Sequence, residues 1–324
     1  MEPGPPPPPG RWSTPVAPRR RGPWPNALLF AATALTTLAA GAMQAGAWNG
    51  EPSAFGREAV LAGLPYATAI LGILLSHELG HYLMARAWGV DSTLPFFVPG
   101  IPPVGTFGAV IRMRAAIPSR RAVLDIGAAG PIGGFLVALP LLLWSAGRSA
   151  YVPVGDAFLP SHQGGGLWHM VQGWLGGAAP PDLPLIHLGD SLLTGWVKEA
   201  ALGPLPPSHV FMEHPVYMAA WFGLFVTTLN LIPVGQLDGG HVLYALLGRR
   251  GALLASRLVS WGLFAAGVFL SWNWLVWWAI TRFVVRLGHP PALEDRPLDR
   301  PRAAVAVLSL VLFAVTFVPV PVTL

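Results

Sequence analysis

The sequence predicts an all-α polytopic membrane protein of about six to seven transmembrane helices, broken once by a re-entrant strand or loop segment. Three observations predict it. Of 324 residues, 53% are hydrophobic and only 11% are Asp, Glu, Lys or Arg, against roughly 25% charged in an ordinary soluble domain. The mean hydropathy is +0.54, and the apolar residues gather into blocks of about 18 or more, the length that crosses a hydrocarbon layer. The basic residues, lastly, collect on alternate connections between those blocks. This composition excludes a soluble globular fold.

The chain opens with residues 1–25, MEPGPPPPPGRWSTPVAPRRRGPWP. A run so rich in Pro makes no helix and holds too few apolar residues to pack, so a disordered tail is expected. The cluster Arg19, Arg20 and Arg21 flanks a long apolar span and reads as a topology signal rather than part of a secretory leader. Candidate spans follow at 27–48, 62–88, 122–145, 216–232, 252–270, 272–285 and 303–320. Residues 94–118, LPFFVPGIPPVGTFGAVIRMRAAIP, are too broken by Pro and Gly to span and too apolar for a solvated loop. A re-entrant segment buried at membrane depth fits them, with GTFGAVIRM as a strand. Residues 148–210 form a Gly- and Pro-rich segment expected to lie over the membrane surface, partly as interfacial helix. The predicted organisation is thus a tail (1–25), a membrane-embedded core (26–248) and C-terminal helices (249–324).

With the N-terminus cytoplasmic and one crossing per span, all but Arg57, Arg148 and Lys198 of the 20 Lys and Arg residues fall inside. The positive-inside rule therefore sets a cytoplasmic N-terminus and an odd number of crossings. It also accounts for the formal charge of +5 without nucleic acid, because the charges are spread over short loops. The expected environment is a lipid bilayer, with a bacterial inner membrane as the location.

The chemistry sits in LGILLSHELGHYLMARAWG, residues 71–89. His77 and His81 lie four apart, on one face of a helix, with room for one metal ion between their rings. Glu78 stands beside that face, placed to reach a water. This is the His-Glu-x-x-His pattern of zinc hydrolases, in which the metal acidifies the water and the carboxylate takes its proton. Ionisable residues in a span cost roughly 2.5–3.5 kcal/mol each on insertion scales, so three within five residues need a compensating partner. The chain has no cysteine, so any metal site must use His, Asp or Glu. The remaining ligand is expected from TLNLIPVGQLDGGHV, residues 228–242: Asp238, with Gly239 and Gly240 allowing close backbone approach, and His241 as its competitor. Asp125 is expected to pair locally with Arg120 and Arg121, and the Trp-rich run SWNWLVWW to form an aromatic belt at the interface.

The stretches SHELGHYLMAR, GTFGAVIRM, LDIGAAGPIGGF and LNLIPVGQLDGGH together resemble, in order and spacing, the site-2 protease family of intramembrane zinc metalloproteases. The similarity is greatest to the branch with the chloroplast EGY-type proteins and their bacterial relatives, and covers roughly residues 61–248. It implies one Zn2+ per chain held by His77, His81 and Asp238, with Glu78 as catalytic base. It implies that Asn230 donates to the oxyanion, and that a segment with Gly105, Phe107 and Gly108 pairs with an unwound substrate, a structural plug being the other reading of that segment. Many members carry a second asparagine where this chain has Gly134. The implied activity is hydrolysis of peptide bonds within or near transmembrane segments of a membrane-protein substrate. Two other readings are a membrane zinc transporter and a non-proteolytic protein that binds transmembrane segments.

Overall fold

The computed structural model describes residues 22–49, 57–153, 187–285, 287–289 and 291–323. Most of the expected tail, with Arg19 to Arg21, and residues 154–186 of the surface segment lie outside them. The described chain is mostly helical. Helices α1 (Trp24–Asn49) and α2 (Arg57–Ala87) precede strands β1 (Phe96–Pro99) and β2 (Thr106–Val110). Helix α3 (Arg120–Ala146), strands β3 (Ala150–Pro153) and β4 (His187–Leu188), helix α4 (Leu192–Leu202) and strand β5 (His209–Met212) follow. Then come α5 (Pro215–Leu231), α6 (Asp238–Phe269), α7 (Asn273–Ala279) with a π turn over Ile280–Val285, α8 (Arg300–Thr316) and β6 (Val322–Thr323). The strands form three antiparallel pairs, β1 with β2, β3 with β5 and β4 with β6.

Among the described residues four helices are long and apolar enough to cross a membrane: Trp24–Gly46, Arg57–Ala87, Arg120–Ala146 and Asp238–Phe269; Pro215–Leu231 is apolar but shorter. Segment 94–118 holds a closed hairpin, not a lone strand: Phe97 faces Ala109 and Val98 faces Gly108. Helix α4 lies within the surface segment and begins with a capping box between Ser191 and Thr194, which satisfies two of the free donors at a helix start.

The bundle is built on small residues, which let helix backbones approach where apolar burial alone drives little association. A Cβ added to Gly63 of α2 would overlap Leu38 O of α1, and one added to Gly80 would overlap Ala129 O of α3. Around these contacts Ile73, Leu142, Tyr217, Trp221 and Leu224 form a core shared by α2, α3 and α5.

Helix α5 stops before Pro233, whose ring disfavours helical geometry in the residue ahead of it. A short turn then starts α6 at Asp238. The sequence places a span at 252–270 because Arg249 and Arg250 interrupt the apolar run. At Gly248 (φ 68°) the backbone leaves helical geometry, so α6 is two helices joined at a kink, the second beginning with these arginines and running to Phe269, close to the expected span. A kink frees carbonyls, and here Arg120 of α3 takes them: its Nη2 donates to Ala245 O at 2.7 Å and Leu246 O at 3.2 Å, and its Nε to Ala245 O at 3.2 Å.

Two local expectations are corrected. Asp125 pairs with Arg302 of α8 at 2.9 Å, not with its neighbours. Arg120 is committed to the kink and to Asp295 at 3.0 Å, and Arg121 reaches Asp299 at 3.8 Å. In the Trp-rich run Trp274 is fully buried rather than interfacial. It donates to Pro319 O at 2.7 Å and stacks on Phe317.

Candidate metal centre

Helix α2 buries one continuous stripe, Ile70, Ile73, Leu74, His77, His81 and Ala85, with Glu78 at its margin. The spacing of three and four is that of one helix face, so the two imidazoles continue an apolar stripe into the bundle. They meet the first turn of α6. His77 Nε2 and His81 Nε2 each lie 3.2 Å from Asp238 Oδ2, and 3.1 Å from each other. All three belong to the same end of the bundle, where α2 ends and α6 begins.

Helix α3 supplies the space. Its glycines Gly127, Gly130 and Gly134 face His241, His81 and His77 in turn. A Cβ at Gly130 would overlap the His81 ring, one at Gly127 would stand 2.6 Å from His241 Cβ, and one at Gly134 would stand 3.3 Å from His77 Nδ1. Helix α6 is seated in the same way: side chains at Gly239 and Gly240 would strike Leu231 O and Gly235 O. These absent side chains let Asp238 reach the two imidazoles. Its place in the first turn also puts a carboxylate where the helix dipole favours one.

Hydrogen bonding fixes the donor atoms. His81 Nδ1 donates to Ile126 O at 2.7 Å, which leaves its Nε2 as a bare lone pair, the form a metal ligand takes. Asn230, near the end of α5, brings its amide nitrogen to 3.4 Å from His77 Nε2. A cavity of about 200 Å³ opens here, lined by His77, Glu78, His81, Asn230, Asp238 and His241. Ala109, Val110, Ile111 and Met113 form its hairpin wall. Glu78 is 5% exposed and faces the backbone of Ile111.

The donor set fits zinc. Two imidazole nitrogens and a carboxylate oxygen converge without a protein cation among them, and tetrahedral ligands at about 2.0–2.1 Å stand roughly 3.3 Å apart, close to the separations here. Among the described residues this is the only group of three or more His, Cys, Asp or Glu that meets in this way. His241 is outside it, bonded instead to His289 at 2.6 Å.

Of the hairpin residues implied by resemblance, Gly105 immediately precedes β2 and Phe107 and Gly108 lie within it. Gly105 (φ +77°) rests on α1 and its carbonyl accepts from Thr36 Oγ1 at 2.6 Å. Phe107 is 72% exposed, and Gly108 (φ +99°) is buried. The sequence reading missed His289. A single histidine in a Pro-rich polar stretch carries no local signal.

A helical membrane bundle that brings His-Glu-x-x-His of one span to an aspartate at the start of another defines a zinc metallopeptidase class of site. The chain belongs to Peptidase family M50, whose model matches residues 65–272. It is 31% identical over 262 residues to "Probable zinc metalloprotease EGY1, chloroplastic" of Oryza sativa subsp. japonica, covering 80% of this chain and 41% of that protein. Its identity to the Arabidopsis thaliana protein of the same name is 33% over 264 residues, 80% of this chain and 43% of the other. "Probable zinc metalloprotease EGY2, chloroplastic" of A. thaliana is 30% identical, with 80% and 42% covered. The chain thus spans about two-fifths of the length of these relatives. No solved structure matches it.

Proposed function

We propose that this chain is an integral-membrane zinc metalloprotease that hydrolyses peptide bonds within or near transmembrane segments of membrane proteins. The observation that carries the reading is the meeting of His77 and His81 with Asp238 at about 3.2 Å, beside Glu78. One zinc per chain, held by these three ligands, supplies Lewis acidity and brings the pKa of a water toward about 7. Glu78 takes the proton from the attacking water, a C–O bond forms at the substrate carbonyl, and Asn230 donates its amide N–H to the developing oxyanion. The C–N bond then breaks as Glu78 returns the proton to the leaving amine.

The substrate must unwind locally, because a helical peptide bond in a bilayer is hydrogen-bonded and shielded. The hairpin wall is suited to receive it. Among the described residues the outer edge of β2 is unpaired, so an extended segment can add as a third strand across Phe107 and Gly108, whereas the backbone of Gly105 is already held by Thr36, Gly100 and Ile101. The bundle makes six to seven crossings, the four long spans being joined by α5, the 273–285 segment and α8. The N-terminus is cytoplasmic, in a bacterial inner membrane. The test is a proteoliposome assay with a model transmembrane substrate. Cleavage without zinc flux supports the proposal, whereas zinc flux without cleavage means a transporter.

A further inference from the structure

His241 lies one turn beyond Asp238 in α6 and lines the same cavity as Glu78. Its Nδ1 is held by His289 Nε2 at 2.6 Å. His289 is only 9% exposed and stacks on Tyr244, ring centroids 4.2 Å apart and planes 9° from parallel. The segment carrying it is tied down. Ala292 N donates to the Tyr244 hydroxyl at 3.0 Å, Leu293 N to Ile117 O at 3.2 Å, and Glu294 N to Pro118 O at 3.0 Å. No hydrogen bond to His241 Nε2 occurs among the described residues.

Asn230 supplies one amide donor to the cavity. The Gly134 position supplies none, and a Cβ there would already stand 3.3 Å from His77 and Thr227 Oγ1. We propose that His241 is the second donor to the oxyanion, and that His289 is the positioning residue that makes it one. The His289 Nε2–H donates to His241 Nδ1, so a neutral His241 carries its proton on Nε2 and turns that N–H to the substrate oxygen. The role rests on the proteolytic reading above.

Two amide replacements separate this role from a structural one. Gln at 241 places an N–H near the former Nε2, whereas Asn reaches only the former Nδ1, where its carbonyl oxygen still accepts from His289. With zinc content and KM unchanged, His241→Gln should keep kcat within about tenfold. His241→Asn should lose about 10²–10³-fold, the usual effect of removing one oxyanion donor. His289→Phe, which keeps the ring on Tyr244, should also lower kcat, and His289→Gln should restore part of it. The reverse order, Asn active and Gln inactive, or zinc lost from both 241 variants, overturns the proposal in favour of a tether.

Nitrogen-15 NMR of histidine-labelled, zinc-loaded protein, with His241 assigned by its absence from His241→Gln, reads the tautomer without any substrate. The proton is expected on Nε2 in wild type and redistributed in His289→Phe; a proton on Nδ1 in wild type overturns the proposal. A wild type that holds zinc but never cleaves refutes the proteolytic reading, and the spectrum still decides the tautomer.

Discussion

His81 Nδ1 lies 2.7 Å from the carbonyl oxygen of Ile126. This bond orients one of the proposed metal ligands from a neighbouring helix, and it forms because Gly130, one turn further along α3, leaves the ring room to lie against the backbone. Gly130→Ala puts a methyl group into that ring. The expected result is at least a tenfold loss of zinc affinity, as when an outer-shell partner of a ligand is removed, with cleavage falling in step. Competition with a fluorescent chelator measures it, and wild-type affinity in the variant refutes the assigned role of α3.

Glu78→Gln keeps the shape of the side chain and removes the proposed base. The proposed zinc ligands are untouched, so metal content should remain at the wild-type level. Cleavage should fall by about 10²–10⁴-fold, the range for losing a general acid–base group. Turnover near the wild-type rate would show that another group takes the proton.

Much of this centre is legible in the sequence. His77 and His81 repeat at one turn inside an apolar block, and Asp238 is an acid beside another. The reason for the glycines in LDIGAAGPIGGF is not legible, because it depends on which face of α3 meets α2, and no period in one helix reveals its neighbour. Asp125 shows the same limit. Arg121 lies one turn before it and invites a local pair, yet the partner is Arg302 on α8. The kink at Gly248 is equally non-local, since it needs the guanidinium of Arg120 to take the freed carbonyls.

Arg302 joins α8 to α3 through Nε at 3.0 Å and Nη2 at 2.9 Å from Asp125 Oδ2. Both side chains are partly shielded, at 30% and 16% exposure. Arg302→Met leaves the Asp125 carboxylate without its cation and should destabilise the protein by about 1–3 kcal/mol, less than for a fully buried pair. Arg302→Lys should recover only part, because lysine cannot form the two-pronged contact. Thermal unfolding in detergent checks both, and equal stability of wild type and Arg302→Met would contradict the assignment.

Glu213 precedes α5, outside the membrane spans. Burial pushes its carboxyl from the ordinary 4.5 up to about 7, against the pull of Lys198. The folded state therefore binds this proton more tightly than the unfolded chain. The stabilisation is complete below about pH 4.5 and is lost as pH rises through about 7. Glu213→Gln, neutral at every pH, should gain on wild type by several degrees in Tm between pH 5 and pH 8. A Tm difference constant over that range would mean that the carboxyl titrates alike in both states.

The central claim is that His77, His81 and Asp238 together hold the zinc that cleavage requires. The measurement is zinc per chain in detergent-purified wild type, Asp238→Ala and the His77→Ala/His81→Ala double variant, with cleavage of one model transmembrane substrate followed on the same samples. One zinc per chain with cleavage in wild type, and the loss of both in each variant, is the predicted result. Zinc at full occupancy in Asp238→Ala, or none in carefully prepared wild type, would contradict it.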